Sequence, residues 1–123
     1  MIPEKFLEVL KHEGVAAIAT QGEEGPYLSN TWNSYVQVSE SGKLIYPAGG
    51  MKATEANIEK NNRILMTIGS REVAGFNGPG TGFRIKGIAT FLKSGIEFDK
   101  MKQQFPWARA VVEITIDSIT QTL

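Results

Sequence analysis

Strand-like segments dominate this chain, and several are joined by links of only turn length. Six segments are rich in β-branched and aromatic residues, at residues 15–20, 27–38, 43–47, 63–70, 83–93 and 107–119. The links at 21–26 and 39–42 contain the glycine, proline and serine typical of turns. A closed or nearly closed antiparallel barrel is the architecture that fits this pattern best.

Three short helices complete the predicted elements, at residues 3–12, 54–61 and 95–105. A chain of 123 residues with 41% hydrophobic residues can bury one core, so we predict a single domain over residues 1–123. The predicted fold is mainly β, a six-stranded antiparallel barrel with short peripheral helices.

Two glycine-containing stretches predict local features of the sheet. The segment FNGPGTG, residues 76–82, holds three glycines and a proline, and it predicts a loop. Gly87 lies inside a strand pattern, where glycine often marks a bulge or a close approach of another backbone.

The composition excludes several classes of function. There is no cysteine, which excludes disulfides, thiol catalysis and cysteine-ligated metal sites. The one histidine, His12, is predicted to be a partly exposed helix residue, so we predict no metal site. Acidic and basic residues balance at 13 each, unlike the basic surface of a nucleic-acid-binding protein. No apolar run is long enough to span a membrane and the N-terminus lacks a secretory pattern, so we predict a cytoplasmic protein.

The stretch IYPAGGMKATEANI, residues 45–58, has the residues of an anion site. Gly49 and Gly50 follow an apolar strand and can adopt backbone angles closed to other residues, which would let their amides point at a ligand. Thr54 is a good N-cap for the helix behind them, and Lys52 adds a positive charge. The plainer interpretation is that the glycines turn the chain, Thr54 caps the helix and Lys52 is solvated.

The sequence around each tryptophan is compatible with stacking against a planar ligand as well as with packing in the core. Alternation places Asn30, Trp32 and Ser34 on one face of their strand, an unusually polar row for a core. Trp107 follows Pro106 at the start of the last strand. Hydrophobic packing and stacking against a partly polar ring are both open for each tryptophan.

Four segments together resemble a known family. They are TQGEEGPYLSNTWNSY, PAGGMKATEAN, NGPGTGF and the terminal QTL. In order and spacing they resemble the small FMN-binding proteins of sulfate-reducing bacteria, which belong to the pyridoxamine 5'-phosphate oxidase-like split-barrel flavoproteins. The resemblance implies a split β-barrel, FMN as the cofactor, and a homodimer with one FMN per subunit near the interface.

The resemblance also implies roles for individual residues. The residues implied for the FMN phosphate are Asn30, Thr31, Lys52 and Thr54, with the amides around Gly49 and Gly50. The residues implied for the isoalloxazine ring are Trp32 and Trp107, with Leu123 reaching over from a partner subunit. Glu13 is implied to be an interface acid close to the partner's flavin phosphate.

One position departs from the family pattern. The family carries a lysine directly before the threonine of this motif, where this chain has Ala53, and its lysine is one place earlier at Lys52. Adjacent helix positions point about 100° apart, so Lys52 would reach the phosphate only through its long side chain. The alternatives are that the amides and hydroxyls suffice, or that another base such as Arg71 or Lys86 compensates.

Three functions follow from these observations. The first is a small FMN electron carrier, with no catalytic residues, whose redox partner by resemblance would be a multihaem cytochrome. The second is an FMN-dependent oxidase or reductase of a small substrate such as a B6 vitamer or a nicotinamide. The third is a non-redox module for another phosphorylated ligand, since Ala53 departs from the pattern.

Overall fold

Seven antiparallel strands form the framework of the computed structural model, which describes residues 1–123. The strands are β1 (Val15–Gly22), β2 (Gly25–Trp32), β3 (Gln37–Val38), β4 (Leu44–Ala48), β5 (Arg63–Gly75), β6 (Gly78–Leu92) and β7 (Ala110–Gln121). The helices are α1 (Glu4–Leu10), α2 (Lys52–Lys60) and α3 (Ile96–Gln104). The mainly β class with short peripheral helices is confirmed, with seven strands where six were predicted. None of the three helices combines the length and hydropathy needed to cross a bilayer.

The sheet curls because its two edge strands are consecutive in the chain. The spatial order is β2-β1-β5-β6-β7-β4-β3, so β2 and β3 are the edges. In a flat sheet of seven strands these edges would be roughly 29 Å apart. The chain from Trp32 to Gln37 can span at most about 17 Å. The sheet therefore closes most of the way into a barrel, and the ends of β2 and β4 come to the same region.

The core fills the inside of this curled sheet. Inward residues alternate along the strands, as in β5 where Ile64, Met66 and Ile68 are buried. The ring of Phe6 from α1 packs edge-on against Phe83 of β6, with 5.6 Å between ring centroids. Helix α1 therefore closes one end of the barrel.

The predicted strand over 27–38 is wrong in its second half. Strand β2 ends at Trp32, and residues Asn33–Tyr35 form a 3₁₀ turn. The reason is the fully buried Asn33, whose Nδ2 donates to the carbonyl oxygens of His12 at 3.0 Å and Gly69 at 2.9 Å. These hydrogen bonds hold the Asn33 side chain inside the protein and bend the backbone there. The alternating pattern of residues 33–38 still resembles that of a strand, so the bend could not be predicted from it.

The predicted loop at 76–82 is also wrong. Strands β5 and β6 form a hairpin in which Gly75 pairs with Gly78, so only Phe76 and Asn77 make the turn. Residues 78–82 belong to β6. Glycine suits the buried part of this arm because the C-terminal segment packs closely on it: a Cβ atom on Gly82 would lie 3.1 Å from Thr122 Oγ1.

The prediction for Gly87 is confirmed. The pairing of β6 with β7 shifts register between Lys86 and Gly87. A Cβ atom on Gly87 would lie 2.4 Å from the backbone oxygen of Thr115, which leaves no space for a side chain.

Candidate functional site

The bend between β4 and α2 is the centre of the candidate site. Its special backbone conformation belongs to Met51, with φ 58° and ψ 33°, and neither Gly49 nor Gly50 has a positive φ. Helix α2 begins at Lys52, so Thr54 lies inside the first turn and makes no cap hydrogen bond. The predictions that the glycines supply the unusual angles and that Thr54 is the N-cap are therefore wrong.

Gly49 lies in close contact with the ring beside it. A Cβ atom at this position would lie 3.1 Å from Cε3 and 3.3 Å from Cζ3 of Trp107. The indole of Trp107 thus packs directly over the backbone of the bend, and it remains 50% exposed. The structure brings the two predicted site segments, the glycine bend and Trp107, into contact.

Arg109 holds the bend from behind, and the sequence analysis missed it. Its Nε donates to the Gly49 carbonyl at 3.1 Å, and its Nη2 donates to the Gly50 carbonyl at 2.7 Å. Its Nη1 donates to Glu55 Oε1 at 2.9 Å. In the sequence, Arg109 is a single basic residue near the start of a predicted strand, a pattern that carries no signal for this role.

Glu55 connects Arg109 to a second cation. Its other carboxylate oxygen lies 2.7 Å from Lys93 Nζ. The hydrogen bond from Lys93, together with that from Arg109, lowers the pKa of Glu55 below its ordinary value, against the opposing effect of desolvation. The carboxylate is therefore ionised at neutral pH and fixes both cations next to the bend.

Thr54 joins α2 to the edge strand β2. Its side chain is 1% exposed, and its Oγ1 lies 3.3 Å from Ser29 Oγ, a residue that the sequence analysis did not single out. Thr31 is also buried, whereas Asn30 is exposed and donates through Nδ2 to the Thr31 carbonyl. The structure thus places Ser29 beside the first turn of α2, whereas Asn30 and Thr31 make no hydrogen bond to that helix.

Lys52 has a free charge at this corner. It is exposed, as is Ala53, and it forms no ion pair within the chain. The other bases considered lie elsewhere, with Arg71 in the β5–β6 arm and Lys86 beside Arg63 in a groove on the outer face. Arg109 is the base that contacts the bend.

Glu13 and Trp32 lie together at the end of β2. The Glu13 carboxylate accepts hydrogen bonds from Ser34 Oγ at 2.6 Å and from the Ser34 amide at 3.2 Å. These bonds lower the pKa of Glu13, so the group is ionised at neutral pH. Trp32 is 42% exposed two residues before Ser34.

The two tryptophans differ in their surroundings. Trp107 belongs to an aromatic cluster with Tyr35 and Phe105, at centroid distances of 5.8 Å and 5.5 Å. Trp32 packs against no other aromatic ring. The single chain therefore offers two partly exposed indoles, Trp107 within an aromatic cluster and Trp32 outside it.

Leu123 lies at the opposite end of β7 from the bend. Ala110 at the start of β7 pairs with Ala48, and Gln121 near its end pairs with Phe83. Residues 110–121 extend roughly 35 Å at the rise of a β-strand. The Leu123 carbonyl accepts from Thr81 Oγ1 and Gln121 Nε2 at the base of the hairpin arm. Leu123 cannot cover the bend of its own chain.

The corner around the bend is an open surface. A concavity of about 400 Å³ includes Arg63, Lys86 and Asp117. None of the predicted site residues lines it. The candidate site therefore presents donors and an indole at a surface, with no enclosing wall from the same chain.

Comparisons with known proteins identify the family of the chain. Residues 2–123 match the protein family described as pyridoxamine 5'-phosphate oxidase. A relative described as the FMN-binding protein of Nitratidesulfovibrio vulgaris (strain Miyazaki F) is 57% identical over 123 residues, 100% of both chains.

Solved structures of low sequence identity share the fold. HupZ of Group A Streptococcus superposes with a TM-score of 0.80 at 21% identity, covering 99% of this chain and 100% of HupZ. An FMN-binding protein of Syntrophomonas wolfei superposes with a TM-score of 0.76 at 14% identity, covering 98% of this chain and 85% of that one. These similarities confirm the predicted split-barrel fold.

Proposed function

The chain belongs to the pyridoxamine 5'-phosphate oxidase family, and we propose that within it the protein is an FMN-binding electron carrier that works as a homodimer. The observation that carries the proposal is the junction of the Gly49–Met51 bend with the indole of Trp107. FMN has a dianionic phosphate at one end and a flat tricyclic ring at the other. The junction offers amide donors for the first and an aromatic face for the second.

The residues at the corner fit a phosphate. The first amides of a helix lack intrahelical acceptors and favour an anion, and α2 begins directly after the bend. The Lys52 ammonium is exposed and unpaired, and Asn30 is exposed on the adjoining strand. The Thr54 hydroxyl already lies against Ser29, so one of these two hydroxyls is left to donate outward.

The ring of the flavin would lie by the indoles. Trp107 and Trp32 are each about half exposed, 50% and 42%, so each offers ring area on which a flavin could stack. FMN supplies the reversible transfer of one or two electrons, and the protein's part is to hold it and set its electrostatic surroundings. A ring held at a surface is accessible to a redox partner protein, for which a multihaem cytochrome stays a prediction by resemblance.

The homodimer would supply the missing wall of the site. Leu123 lies roughly 35 Å along β7 from the bend of its own chain, so it can reach a flavin ring only from a second copy. Leu28 and Trp32 lie on the same face of edge strand β2 and are both exposed, an apolar surface suited to contact with another subunit.

Purified protein should bind FMN with one flavin per chain and sediment as a dimer. The measurements are the visible flavin spectrum, calorimetric titration of flavin-stripped protein, and analytical ultracentrifugation. A colourless protein that does not take up added FMN would contradict the cofactor proposal, and a monomer that binds FMN would contradict the dimer.

Replacing Glu13 with glutamine should raise the midpoint potential of bound FMN. Reduction brings negative charge to the flavin, and a nearby carboxylate opposes that charge. Because hydrogen bonds from Ser34 lower the pKa of Glu13, the carboxylate stays ionised at and above neutral pH, and the increase should be constant there. The measurement is a redox titration at low salt, where screening of an exposed charge is weakest.

The matched control is Glu24→Gln, which removes an exposed carboxylate in the β1–β2 turn and should leave the potential unchanged. A lower or unchanged potential in Glu13→Gln would count against the electrostatic role.

The description of the family favours one rival, an oxidase of a B6 vitamer phosphate. Steady-state assays of the FMN-loaded protein with pyridoxine phosphate and oxygen, and with NADH, distinguish the two. An electron carrier should show no turnover above that of free FMN, and sustained turnover would favour the enzyme.

A further inference from the structure

The guanidinium of Arg109 binds two consecutive peptide carbonyls of the bend. The Gly49 oxygen accepts from Nε at 3.1 Å, and the Gly50 oxygen accepts from Nη2 at 2.7 Å. The side chain of Arg109 is itself mostly buried, with 28% exposure. Two neighbouring peptide units are thereby turned so that their oxygens face the same group.

Peptide geometry then fixes where the amides point. In a planar trans peptide the C=O and N–H bonds point in opposite directions. The peptide units that carry the Gly49 and Gly50 oxygens end in the amides of Gly50 and Met51. Both amides must therefore point away from Arg109, towards the outside of the bend, and neither donates to an acceptor within the chain. Gly50 is exposed and Met51 is partly exposed.

We propose that Arg109 is a positioning residue that aims the Gly50 and Met51 amides at a phosphate monoester. The inference rests on the proposed function and extends it, because it assigns the selection of a phosphorylated flavin to a residue that would not touch the phosphate. The chemistry recognised is a terminal dianionic phosphate, as in FMN, and not the ring system shared with riboflavin.

Glu55 and Lys93 keep Arg109 in place. Glu55 accepts from Nη1 of Arg109 through one carboxylate oxygen and from Lys93 through the other. Arg109 therefore uses three of its donors in three fixed directions, which a planar guanidinium can do and an ammonium on a flexible side chain cannot.

The test compares FMN with riboflavin in Arg109→Met and Arg109→Lys. We expect the Kd for FMN to rise about tenfold in Arg109→Met, the effect of losing well-aimed donors to a charged group. The Kd for riboflavin should stay within about twofold, because riboflavin lacks the phosphate. Arg109→Lys should be intermediate, since one ammonium cannot hold both carbonyls in the same geometry. Arg84→Met removes an exposed arginine of β6 and should change neither Kd.

A second readout does not depend on flavin. In flavin-free wild-type protein, inorganic phosphate should shift the amide resonances of Gly50 and Met51 in ¹⁵N-correlated NMR spectra. The same titration of Arg109→Met should give shifts that are several-fold smaller. These spectra also show whether each variant is folded.

The outcomes separate this inference from the proposed function. If wild-type protein binds neither flavin nor phosphate, both the proposed FMN binding and the positioning role of Arg109 are overturned. If wild type binds FMN but the FMN-to-riboflavin ratio is the same in the Arg109 variants, only the positioning role is overturned. A parallel loss of both flavins would show that Arg109 serves general structure and would also overturn it.

Discussion

Replacing Asn33 with aspartate should lower the free energy of unfolding by about 4–5 kcal/mol at pH 7, a large part of the total for a domain of this size. Asn33 is fully buried, and its Nδ2 donates to the carbonyl oxygens of His12 and Gly69, with Val9 O a further 3.5 Å neighbour. Aspartate has no amide hydrogens to donate. Its ionised carboxylate would instead face these oxygens without a compensating partner.

The loss should depend on pH in a defined direction. Burial and the facing carbonyl oxygens raise the pKa of the new carboxyl in the folded state above the value of about 3.9 of an unfolded aspartate. The folded variant therefore holds a proton that the unfolded chain releases. Its deficit relative to wild type should be smallest below about pH 4 and should grow by about 1.4 kcal/mol per pH unit as pH rises towards the folded-state pKa.

Urea denaturation of both proteins at pH 4 and pH 7 measures this effect. Asn77→Asp is the matched control, because Asn77 is exposed in the hairpin turn and should cost little at either pH. An Asn33→Asp deficit that is small, or that is equal at the two pH values, would show that Asn33 is not the buried anchor described here.

Replacing Ala53 with lysine should tighten the binding of FMN by roughly 10- to 100-fold, the range given by one charge-assisted hydrogen bond. Ala53 is exposed in the first turn of α2, beside the bend that we propose for the phosphate, and the family resemblance puts a lysine there. The new cation also meets the positive end of the helix dipole, which costs only about 0.3–1 kcal/mol. Riboflavin, which has no phosphate, should bind as before.

Calorimetric titrations at several salt concentrations provide the measurement, and the gain should shrink as salt increases. Ala56→Lys adds the same charge one turn further along α2 and should give little gain. Lys52→Met, made in wild type and in Ala53→Lys, tests whether Lys52 serves as a substitute. The loss of affinity should be clear in the wild-type background and small in the Ala53→Lys background. An unchanged FMN affinity in Ala53→Lys would place the phosphate elsewhere.

The strands were predictable where local pattern and final environment agree. In β5 the buried residues Ile64, Met66 and Ile68 alternate with exposed ones. This alternation is visible in the sequence because apolar side chains occupy the inward positions. The errors occur where a distant contact changes the local outcome. Asn33 ends β2 because two carbonyls from other segments take its amide, and the β5–β6 arm extends through 78–82 because its two strands pair.

In the candidate site, too, the local features were predicted and the long-range contacts were missed. Gly49, Trp107 and the first turn of α2 were identified from composition, spacing and the family resemblance. Arg109, Ser29 and the pairing of Glu55 with two cations were missed. Their roles depend on side chains that are 25 to 60 residues apart in the chain, as with Ser29 and Thr54 or Arg109 and Gly49.

By itself, the sequence determined the mainly β class, the family and the segments that carry the candidate site, because alternation, turn residues and motif order are local properties. Only the tertiary structure decided that Met51 and not the glycines adopts the left-handed conformation, that Gly49 makes room for Trp107, and that Arg109 orients the bend. The physical reason is that hydrogen-bond direction and close packing depend on which segments meet when the sheet curls, and that is a property of the whole chain.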